Sequence, residues 1–399
     1  MVSRNPAVDF LRLCKRYIEF SKQIVADLSW HRAQCRPDFR TFRKRVTEQT
    51  RLLHSNAICA EDYYHLALYR DSLTAEQKRT FLGSYEKWRY FNRLNPAVYD
   101  VIARDKALFH IFAASSGIRT PDTLATTAAG HKPFFGRRLD TVEATRRFLC
   151  DNEGEELFFK PADGSLGEGA MAVGRSKSNV GKWEQIPDRI PITVEEILRH
   201  LVVDGVLGRF LIQRRLKPNE ALAKIVPEVC PTARIMTLTS TKGVDLLGAA
   251  LRMGSGHSPT DNVAGGGLIA PIEMETGTLR LAVCLDSGTP EAVTRHPFTH
   301  APLQGIIIPQ WNEVIALVRE SATRLNFLPC IGWDIGLTDE GPVVIEINTR
   351  PRCISVQTGV EYGLLSGPLG RELAKTAGRL NNGLTIPDYA YQAKQHQAA

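Results

Sequence analysis

The chain has 399 residues, of which 43% are hydrophobic and 23% are charged, and its formal net charge is +7. This length and composition exclude a single small module and predict two or three packed units. The excess of positive charge favours anionic ligands and says nothing about the fold.

The sequence shows no sign of membrane insertion or export. It contains no apolar run of about 18 residues or more, and its start, MVSRNPAVDF, lacks the apolar core of a secretion signal. The eight cysteines are widely spaced and include no Cys-x-x-Cys pair, which argues against a zinc ribbon or a redox motif and suits a reducing compartment. We therefore expect a soluble, cytoplasmic protein without a membrane partner.

The first part of the chain, up to about residue 95, is predicted to be mostly helical. The apolar residues that keep helical spacing near its start are Phe10, Leu13, Tyr17, Phe20 and Ile24. A second stretch, from Tyr63 to Tyr69, does so less regularly. We interpret this region as a support or a substrate cap, and Asn95-Pro96 as the break that ends it.

A basic segment lies within this helical region, from His31 to Arg51, where seven Arg or Lys residues accumulate. Such a run is compatible with a nucleic-acid surface or with the solvated face of a helix. No recognition motif accompanies the charge. The helix face is therefore the favoured interpretation, and nucleic acid is not expected as a partner.

The next predicted helix is marked at both ends. Asp105 is placed to cap its start, and Gly117 and Pro121 end it. The residues expected on its buried face are Leu108, Phe109, Ile111 and Phe112. Lys106 falls in the first turn, where the helix dipole disfavours a cation, so a phosphate ligand is worth considering for it. An ordinary surface lysine is the alternative, and only the context described next favours the phosphate.

A glycine-rich loop follows a short apolar strand that ends at Lys160. The loop residues of interest are Gly164, Ser165, Gly167 and Gly169. Glycines allow backbone amides to approach phosphate oxygens closely. The segment is neither a Walker loop nor a dinucleotide fingerprint, because no Gly-Lys-Ser/Thr sequence opens a helix here. A plain hairpin turn is the alternative, and the preceding lysine favours phosphate binding.

Two later strand signals carry polar residues. Arg209 to Gln213 is expected to be a strand whose edge amides could pair with adenine. A hairpin from Ala233 to Gly254, with a three-residue loop, places Arg234 and Arg252 on one face. Paired guanidinium groups suit phosphate or carboxylate recognition, and an exposed solubilising pair is the alternative.

The last strong signal is a hairpin within residues 331–352. Apolar residues alternate on both sides of a predicted three-residue loop at 339–341, which sets Asp334 opposite Glu346 and puts Asn348 on the same face. Directly opposed like charges destabilise a sheet, so a cation is expected between the two carboxylates, and Mg²⁺ prefers such oxygen ligands. An exposed hairpin with scattered polar residues is the alternative. The strongly apolar opposite face favours a packed hairpin.

In this order, the features resemble the ATP-grasp superfamily. More narrowly, the segments RDKALF, IQRRLKP, ARIMTLT, LRMG with DNVAGGG, and GWDIGLTDEGPVVIEIN resemble the sugar-transfer-associated ATP-grasp family, over roughly residues 60–370. The resemblance implies an α+β fold in which two α+β lobes clasp ATP, together with the helical N-terminal region. The expected divisions are 1–95 for the helical region, 96–205 for the first lobe with the glycine-rich loop, 206–378 for the C-terminal lobe with the metal site, and 379–399 for a flexible tail.

The resemblance also implies a role for each matching residue. The residues that would bind ATP are Lys106, Lys160, Gly164, Ser165, Gly167, Gly169 and Gln213. Arg234 and Arg252 would be catalytic and steady the transferring phosphoryl group. The ligands of Mg²⁺ would be Asp334, Glu346 and Asn348. The residues assigned to the substrate are Asn262, Arg350 and Arg352.

The chain departs from the family pattern at two places. Arg214 and Arg215 follow Gln213, where similar proteins often have an acidic residue, so the recognition of ribose is left open. Pro351-Arg352 stands where many relatives have Pro-Gly, which suggests that Arg352 and Arg350 recognise a substrate carboxylate instead.

The function implied by the resemblance is that of an ATP-dependent carboxylate–amine ligase. It would form an amide bond through an acyl-phosphate and release ADP and phosphate, with an amino acid or a biosynthetic intermediate as substrate. Its partners would be ATP, Mg²⁺, a small carboxylate and an amine, and a homodimer is one option for its assembly. The alternatives are a small-molecule kinase on the same fold and a non-catalytic scaffold that binds nucleic acid or protein.

Overall fold

The computed structural model describes residues 6–34, 39–85, 87–163, 167–176, 183–254 and 267–377. The chain divides into two compact units. A helical unit is formed by Met1–Lys87, Gly288–Pro290 and Arg352–Ala399, and a sheet-bearing unit is formed by Trp88–Ser287 and Glu291–Pro351.

The described helices are α1 (Pro6–Gln34), α2 (Phe39–Asn56), α3 (Ala60–His65), α4 (Ala75–Lys78), α5 (Trp88–Phe91), α6 (Asp100–Arg104), α7 (Lys106–Ser115), α8 (Val142–Asp151), α9 (Val194–His200), α10 (Glu220–Ala223), α11 (Trp311–Arg324), α12 (Ile354–Gln357) and α13 (Pro368–Ala377), with short 3-10 helices at Ala97–Tyr99 and Leu364–Ser366.

The described strands are β1 (Thr123–Thr127), β2 (Arg137–Leu139), β3 (Leu157–Pro161), β4 (Met171–Arg175), β5 (Trp183–Ile186), β6 (Ile190–Ile192), β7 (Val202–Val203), β8 (Val206–Leu207), β9 (Phe210–Arg214), β10 (Thr232–Ser240), β11 (Gly243–Met253), β12 (Leu268–Pro271), β13 (Ala282–Cys284), β14 (Glu291–Val293), β15 (Cys330–Thr338) and β16 (Gly341–Asn348).

The predicted helical character of the N-terminal region is confirmed. Its interior contains polar side chains that are satisfied by one another: the Gln49 amide donates to Asp27 at 2.7 Å, and the His31 ring lies 2.9 Å from the Tyr64 hydroxyl. Buried polar groups of this kind are stable only when they are hydrogen-bonded. No helix in the described part of the chain is both long and apolar enough to cross a membrane.

The basic segment falls largely on α2, and part of its charge is used within the helical unit. The Arg45 guanidinium lies 4.6 Å from the centre of the Tyr69 ring, and Lys44 forms an ion pair with Asp71 at 2.6 Å. Cation–π contacts and exposed ion pairs of this kind are common on solvated helices. Whether the segment also meets a nucleic acid stays a prediction.

The first sheet of the sheet-bearing unit has seven strands in the order β2-β1-β9-β3-β4-β5-β6. β9 lies inside this sheet, paired antiparallel with β1 on one side and with β3 on the other. The expectation that its edge amides are free for adenine is therefore wrong, because both edges of the strand are already paired. The first sheet also includes a strand beyond residue 205, and the predicted domain limits stay predictions.

Helix α7 begins as the sequence predicts. The Asp105 carboxylate accepts from the backbone N–H groups of Ala107 at 3.0 Å and Leu108 at 3.1 Å, which caps the first turn. Its buried face differs from the prediction, since Ile111 is exposed and His110 is buried. The His110 Nε2 atom lies 3.1 Å from the Gln213 amide, while Nδ1 has no hydrogen-bond partner among the described residues.

The second sheet also has seven strands, in the order β14-β13-β12-β11-β10-β15-β16. Helix α11 covers one face through Val314, Val318 and Ala322, and the apolar side chains of β15 and β16 lie in the same core. β15 is buried along its whole length, as the alternation of apolar residues on both sides of the predicted turn suggests.

The β15–β16 hairpin differs from the prediction at its turn but not at its polar end. Thr338 pairs with Gly341, so the loop has two residues rather than three. A bulge then shifts the register between Asp334 and Ile335, which brings Asp334 opposite Glu346 after all. The loop is one residue shorter than predicted, and the bulge adds one unpaired residue to β16. The two differences cancel, so the pairing at Asp334 is the predicted one.

The β10–β11 hairpin repeats this arrangement. Ser240 pairs with Gly243 across a two-residue turn, and a register shift follows between Met236 and Thr237. Beyond that bulge, Arg252 stands opposite Thr232, two residues before Arg234. The predicted diagonal placement of the two arginines is thus reached by a different local route.

One glycine of β15 is needed for the packing of the segment that follows β16. A Cβ at Gly332 would lie 2.6 Å from the Pro351 Cβ, which is closer than real Cβ atoms approach. We predict that Gly332→Ala lowers the free energy of unfolding by about 1–3 kcal/mol through overpacking. Urea unfolding followed by tryptophan fluorescence measures this loss.

Gly154→Ala is the matched control, because nothing lies within 4 Å of the added Cβ at that position. It should change the free energy of unfolding by less than about 1 kcal/mol. Equal stability of the two variants would contradict the tight contact between Gly332 and Pro351.

Candidate active site

Asp334 lies at the centre of a polar face of the second sheet. It is 1% exposed, and its neighbours across the strands are Arg234 on β10 and Glu346 on β16. The Arg234 guanidinium donates to both carboxylate oxygens, from Nε to Oδ1 at 2.5 Å and from Nη2 to Oδ2 at 2.9 Å. This bidentate geometry fixes the orientation of both side chains.

Arg252 completes the pairing of Asp334. Its Nη2 lies 3.2 Å from Asp334 Oδ1, and the Thr232 hydroxyl accepts from Arg252 Nε at 3.1 Å and from Nη2 at 2.9 Å. Thr232 was not identified from the sequence. A threonine directly opposite an arginine across two strands is its only signal, and that signal appears only once the register is known.

The two carboxylates of this face differ in protonation behaviour. Burial tends to raise the pKa of Asp334, but the charges of Arg234 and Arg252 outweigh it and hold that pKa well below its usual range. Burial and the negative charge of Asp334 raise the pKa of Glu346, while Lys106 and Lys160 act in the opposite direction.

Protein side chains therefore provide part of the positive charge that the sequence argument expected from a cation between the two carboxylates. The Arg234 and Arg252 guanidiniums compensate Asp334, whereas Glu346 receives only the more distant help of the two lysines. The like-charge argument for a metal thus applies mainly to Glu346. It weakens for Asp334, whose two oxygens already accept hydrogen bonds from Arg234.

Lys160 extends from the first sheet toward this face. It is 5% exposed, and its Nζ lies 3.4 Å from the backbone oxygen of Ile345, the residue before Glu346. Burial lowers the pKa of Lys160 to about 8, with Lys106 adding to this effect and Glu346 opposing it. Lys160 thus lies beside the strand that carries Glu346, and the ATP-binding role of Lys106 and Lys160 stays a prediction.

Lys106 is fixed by backbone bonds at the start of α7. Its N–H donates to the Ala162 carbonyl at 2.8 Å, which joins the helix to the end of β3. Arg209, which sequence reasoning missed, strengthens this junction because its Nη1 donates to Asp105 at 2.6 Å and its Nη2 lies 3.5 Å from Asp163. An arginine at the start of the predicted strand Arg209 to Gln213 gave no sign of this role.

Gln213 lies in a buried polar group of the first sheet. Its Nε2 donates to the Thr123 hydroxyl at 2.7 Å and lies 3.1 Å from His110 Nε2. Burial, with a contribution from Lys160, lowers the pKa of His110 to about 2, so this imidazole is neutral. The Gln213 amide is thus engaged inside the protein, and its contact with a nucleotide stays a prediction.

The glycine-rich loop is described only in part. Gly167 and Gly169 have positive φ angles of 73° and 71°, which glycine adopts without strain. The Gly169 carbonyl lies 2.9 Å from His200 Nε2. Gly164 and Ser165 lie outside the described residues, as does Asn262.

The two arginines proposed for substrate binding already have partners. Arg350 binds Asp100 and donates from Nε to Asn92 Oδ1 at 2.9 Å, while Arg352 pairs with Glu61 in the helical unit. Their role in substrate recognition therefore stays a prediction without support from their contacts.

The donor set on the polar face fits a magnesium–nucleotide site. Within the described residues there is no group of three His, Cys, Asp or Glu side chains that could bind a metal alone. Mg²⁺ does not need one, because it commonly takes one or two carboxylates and completes its shell with phosphate oxygens and water. The Arg234 and Arg252 guanidiniums contact Asp334, and the Lys160 ammonium lies beside the backbone of Ile345, next to Glu346. This excess of positive charge suits an anionic ligand.

The buried ion pair gives a direct test of this electrostatic arrangement. We predict that Arg234→Met lowers the free energy of unfolding by about 3–5 kcal/mol, because it leaves much of the Asp334 charge buried without compensation. The double variant Arg234→Met/Asp334→Asn should regain part of this loss. Urea unfolding of the three proteins measures both effects.

Arg214→Met is the control, since Arg214 also pairs with two carboxylates, those of Asp122 and Glu155, but with its side chain 52% exposed against 8% for Arg234. Loss of an exposed pair should cost less than about 1 kcal/mol. The account fails if Arg234→Met is no more costly than Arg214→Met.

Comparison with known proteins identifies the family. Residues 85–367 match the family described as sugar-transfer associated ATP-grasp. No protein of curated function matches the sequence. Among solved structures, an L-amino acid ligase from Bacillus licheniformis shares 15% identity with a TM-score of 0.33, over 62% of this chain and 40% of its own.

Two further structures show the same level of similarity. The biotin carboxylase domain of the Hydrogenobacter thermophilus 2-oxoglutarate carboxylase shares 15% identity, with a TM-score of 0.37, over 71% of this chain and 47% of its own. A RimK domain ATP-grasp protein from Sphaerobacter thermophilus shares 15% identity, with a TM-score of 0.35, over 71% of this chain and 69% of its own. The chain thus spans less than half the length of the first two. On the family match over residues 85–367, the chain belongs to the sugar-transfer associated ATP-grasp family and has the ATP-grasp fold.

Proposed function

We propose that this protein is an ATP-dependent carboxylate–amine ligase that uses Mg²⁺ and releases ADP and phosphate. The observation that carries the proposal is the meeting of oxygen ligands and lysines at one place. Asp334, Glu346 and Asn348 share a face, with Asn348 Nδ2 3.5 Å from Asp334 Oδ2, and Lys160 Nζ lies 3.4 Å from the Ile345 oxygen beside Glu346. Family membership supports the same assignment.

Each part of the polar face has a role in this proposal. Lys106 and Lys160 bind the phosphates of ATP, and the glycine-rich loop adds backbone N–H groups. Glu346 and Asn348, with Asp334 beside them, would hold Mg²⁺, which when bound neutralises charge and orients the triphosphate oxygens. The predicted lobes, 96–205 and 206–378, supply the two sides of the ATP site.

The chemistry then needs no nucleophile from the protein. A substrate carboxylate oxygen attacks the γ-phosphorus of ATP, the bond from that phosphorus to the β-phosphate oxygen breaks, and ADP leaves. The nitrogen of the amine substrate attacks the carbonyl carbon of the resulting acyl-phosphate, the C–O bond breaks, and phosphate leaves as the amine loses its proton.

The arginines act as this phosphoryl group is transferred. Arg234 uses Nε and Nη2 on Asp334, which leaves Nη1 for a phosphoryl or carboxylate oxygen. The Thr232 hydroxyl orients Arg252 by accepting hydrogen bonds from its Nε and Nη2. Guanidinium groups that are already oriented stabilise developing negative charge without reorganising during the reaction.

The substrates are defined only by class. An amino acid or another small biosynthetic carboxylate is the proposed acid, and the family's description makes a sugar-bearing compound a candidate for either substrate. A cytoplasmic location and a homodimeric assembly stay predictions.

We predict that Glu346→Gln lowers ATP turnover at least about 100-fold, because it removes the charge of a metal-binding group while keeping its size. The assay is ADP release in a screen of amino acids and other small carboxylates paired with amines. Phosphate is measured in the same samples, and a ligase releases ADP and phosphate in equal amounts.

Glu340→Gln is the matched control, since Glu340 lies at the exposed turn of the same hairpin, 3.9 Å from Arg119. It should retain turnover. ADP release without phosphate would identify a small-molecule kinase instead. Full turnover in Glu346→Gln would contradict the proposed metal site.

A further inference from the structure

Asn95 connects the two strands of the site at the end where their own pairing stops. The last β15–β16 pair is Gly332 with Asn348. Beyond it, the Asn95 Nδ2 donates to the carbonyls of Cys330 and Thr349, each at 2.6 Å, and its Oδ1 accepts from the Cys330 N–H at 2.9 Å. The side-chain amide thus takes the place of a missing rung between the strands.

This amide is buried and fully used. Asn95 is 1% exposed, and both its donors and its acceptor are engaged with backbone groups more than 200 residues away in sequence. A buried amide that satisfies three backbone groups is a strong local constraint, because breaking any of these bonds leaves an unpaired polar group inside the protein. From the sequence, Asn95-Pro96 could be read only as a chain break.

Asp100 holds the same segment through hydrogen bonds to the side chains of Thr349 and Arg350. Its Oδ1 accepts from the Thr349 hydroxyl at 2.8 Å, and its Oδ2 accepts from Arg350. The close approach of Pro351 to Gly332 adds a steric contact on the following residue. The backbone directly after Asn348 is therefore fixed through a carbonyl, a hydroxyl and a guanidinium.

The position of Asn348 makes this constraint functional. Asn348 is the last residue of β16, and the ends of strands fray unless something holds them. A metal ligand that frays must be ordered again whenever the ion binds, which weakens binding. We propose that Asn95 and Asp100 are positioning residues that hold Asn348 in its ligand geometry and so set the affinity of the site for Mg²⁺. This inference rests on the proposed function, since it concerns the same metal site.

The test compares the magnesium requirement of nucleotide binding in the full chain. ATP affinity is measured by calorimetry across a series of Mg²⁺ concentrations. In Asn95→Ala, the Mg²⁺ concentration that gives half of the maximal increase in ATP affinity should rise at least about tenfold. A rise of this size is expected when a residue that supports a metal ligand is removed. Affinity for ATP without metal should change less than about twofold, because the lysines are untouched.

A second variant keeps the inference testable if Asn95→Ala does not fold. Thr349→Val has nearly the same shape and removes only the hydroxyl that binds Asp100. It should raise the magnesium requirement about threefold or more. In the metal-free protein, amide hydrogen exchange at residues 346–350 should accelerate in both variants, which is a readout that involves no metal.

Asn56→Ala controls for a general loss of stability. Asn56 is also a fully buried amide, and its Nδ2 donates to the carbonyls of Arg79 at 2.6 Å and Phe81 at 3.0 Å, within the helical unit. It should lower the melting temperature without changing the magnesium requirement or the exchange at residues 346–350.

The outcomes distinguish a failure of the proposed function from a failure of the positioning role alone. If wild-type protein shows no magnesium-dependent ATP binding, the proposed function fails, and this inference fails with it. If wild-type protein binds ATP in this way while Asn95→Ala and Thr349→Val keep the wild-type magnesium requirement, only the positioning role is overturned. A shift of the same size in Asn56→Ala would also overturn it, because the effect would then be one of overall stability.

Discussion

The ion pair between Arg234 and Asp334 is the interaction on which the polar face depends. A carboxylate 1% exposed in the middle of a sheet needs a partner, and Arg234 provides it from the neighbouring strand with two hydrogen bonds. This pairing keeps Asp334 ionised, and the pKa of Glu346 on the neighbouring strand is raised by burial and also by that negative charge. Lys106 on α7 and Lys160 on β3 offset that charge only in part. The proposed Mg²⁺ would complete the balance, and a triphosphate would use the remaining positive charge.

Both hairpins show what local sequence patterns can and cannot predict. The alternation of apolar residues predicted the strands of β10, β11, β15 and β16, and the polar residues that share a face. It could not predict the turns, since a two-residue turn with a bulge gives the same register at the site as the predicted three-residue loop. Burial of the apolar face determines the strand register near the core, but it does not determine the length or conformation of the turn. Asp334 lies opposite Glu346, and Arg252 lies diagonal to Arg234, as predicted, because these residues lie beyond the bulges, away from the turns; their roles stay predictions.

The residues that sequence reasoning missed or misplaced are those whose role depends on distant partners. His110 is buried next to Gln213, about a hundred residues away, and Ile111 is exposed. Gln213 lies in a central strand because β1 and β3 enclose it, which no feature of Arg209 to Gln213 reveals. Asn95 bridges two strand ends that are formed by residues near the other end of the chain. Single-sequence patterns report local periodicity and contain no information about such pairings.

The central claim is that Glu346 and Asn348, together with Asp334, hold a divalent cation that carries a nucleotide. The most direct measurement replaces Mg²⁺ by paramagnetic Mn²⁺ and records the amide NMR spectrum of the protein with ATP. The account predicts that the broadening caused by Mn²⁺ with ATP is centred on residues 334 and 346–348, decreases with distance from them, and is reversed by Mg²⁺. Broadening centred on another part of the chain, or none at these residues when ATP is bound, would contradict it.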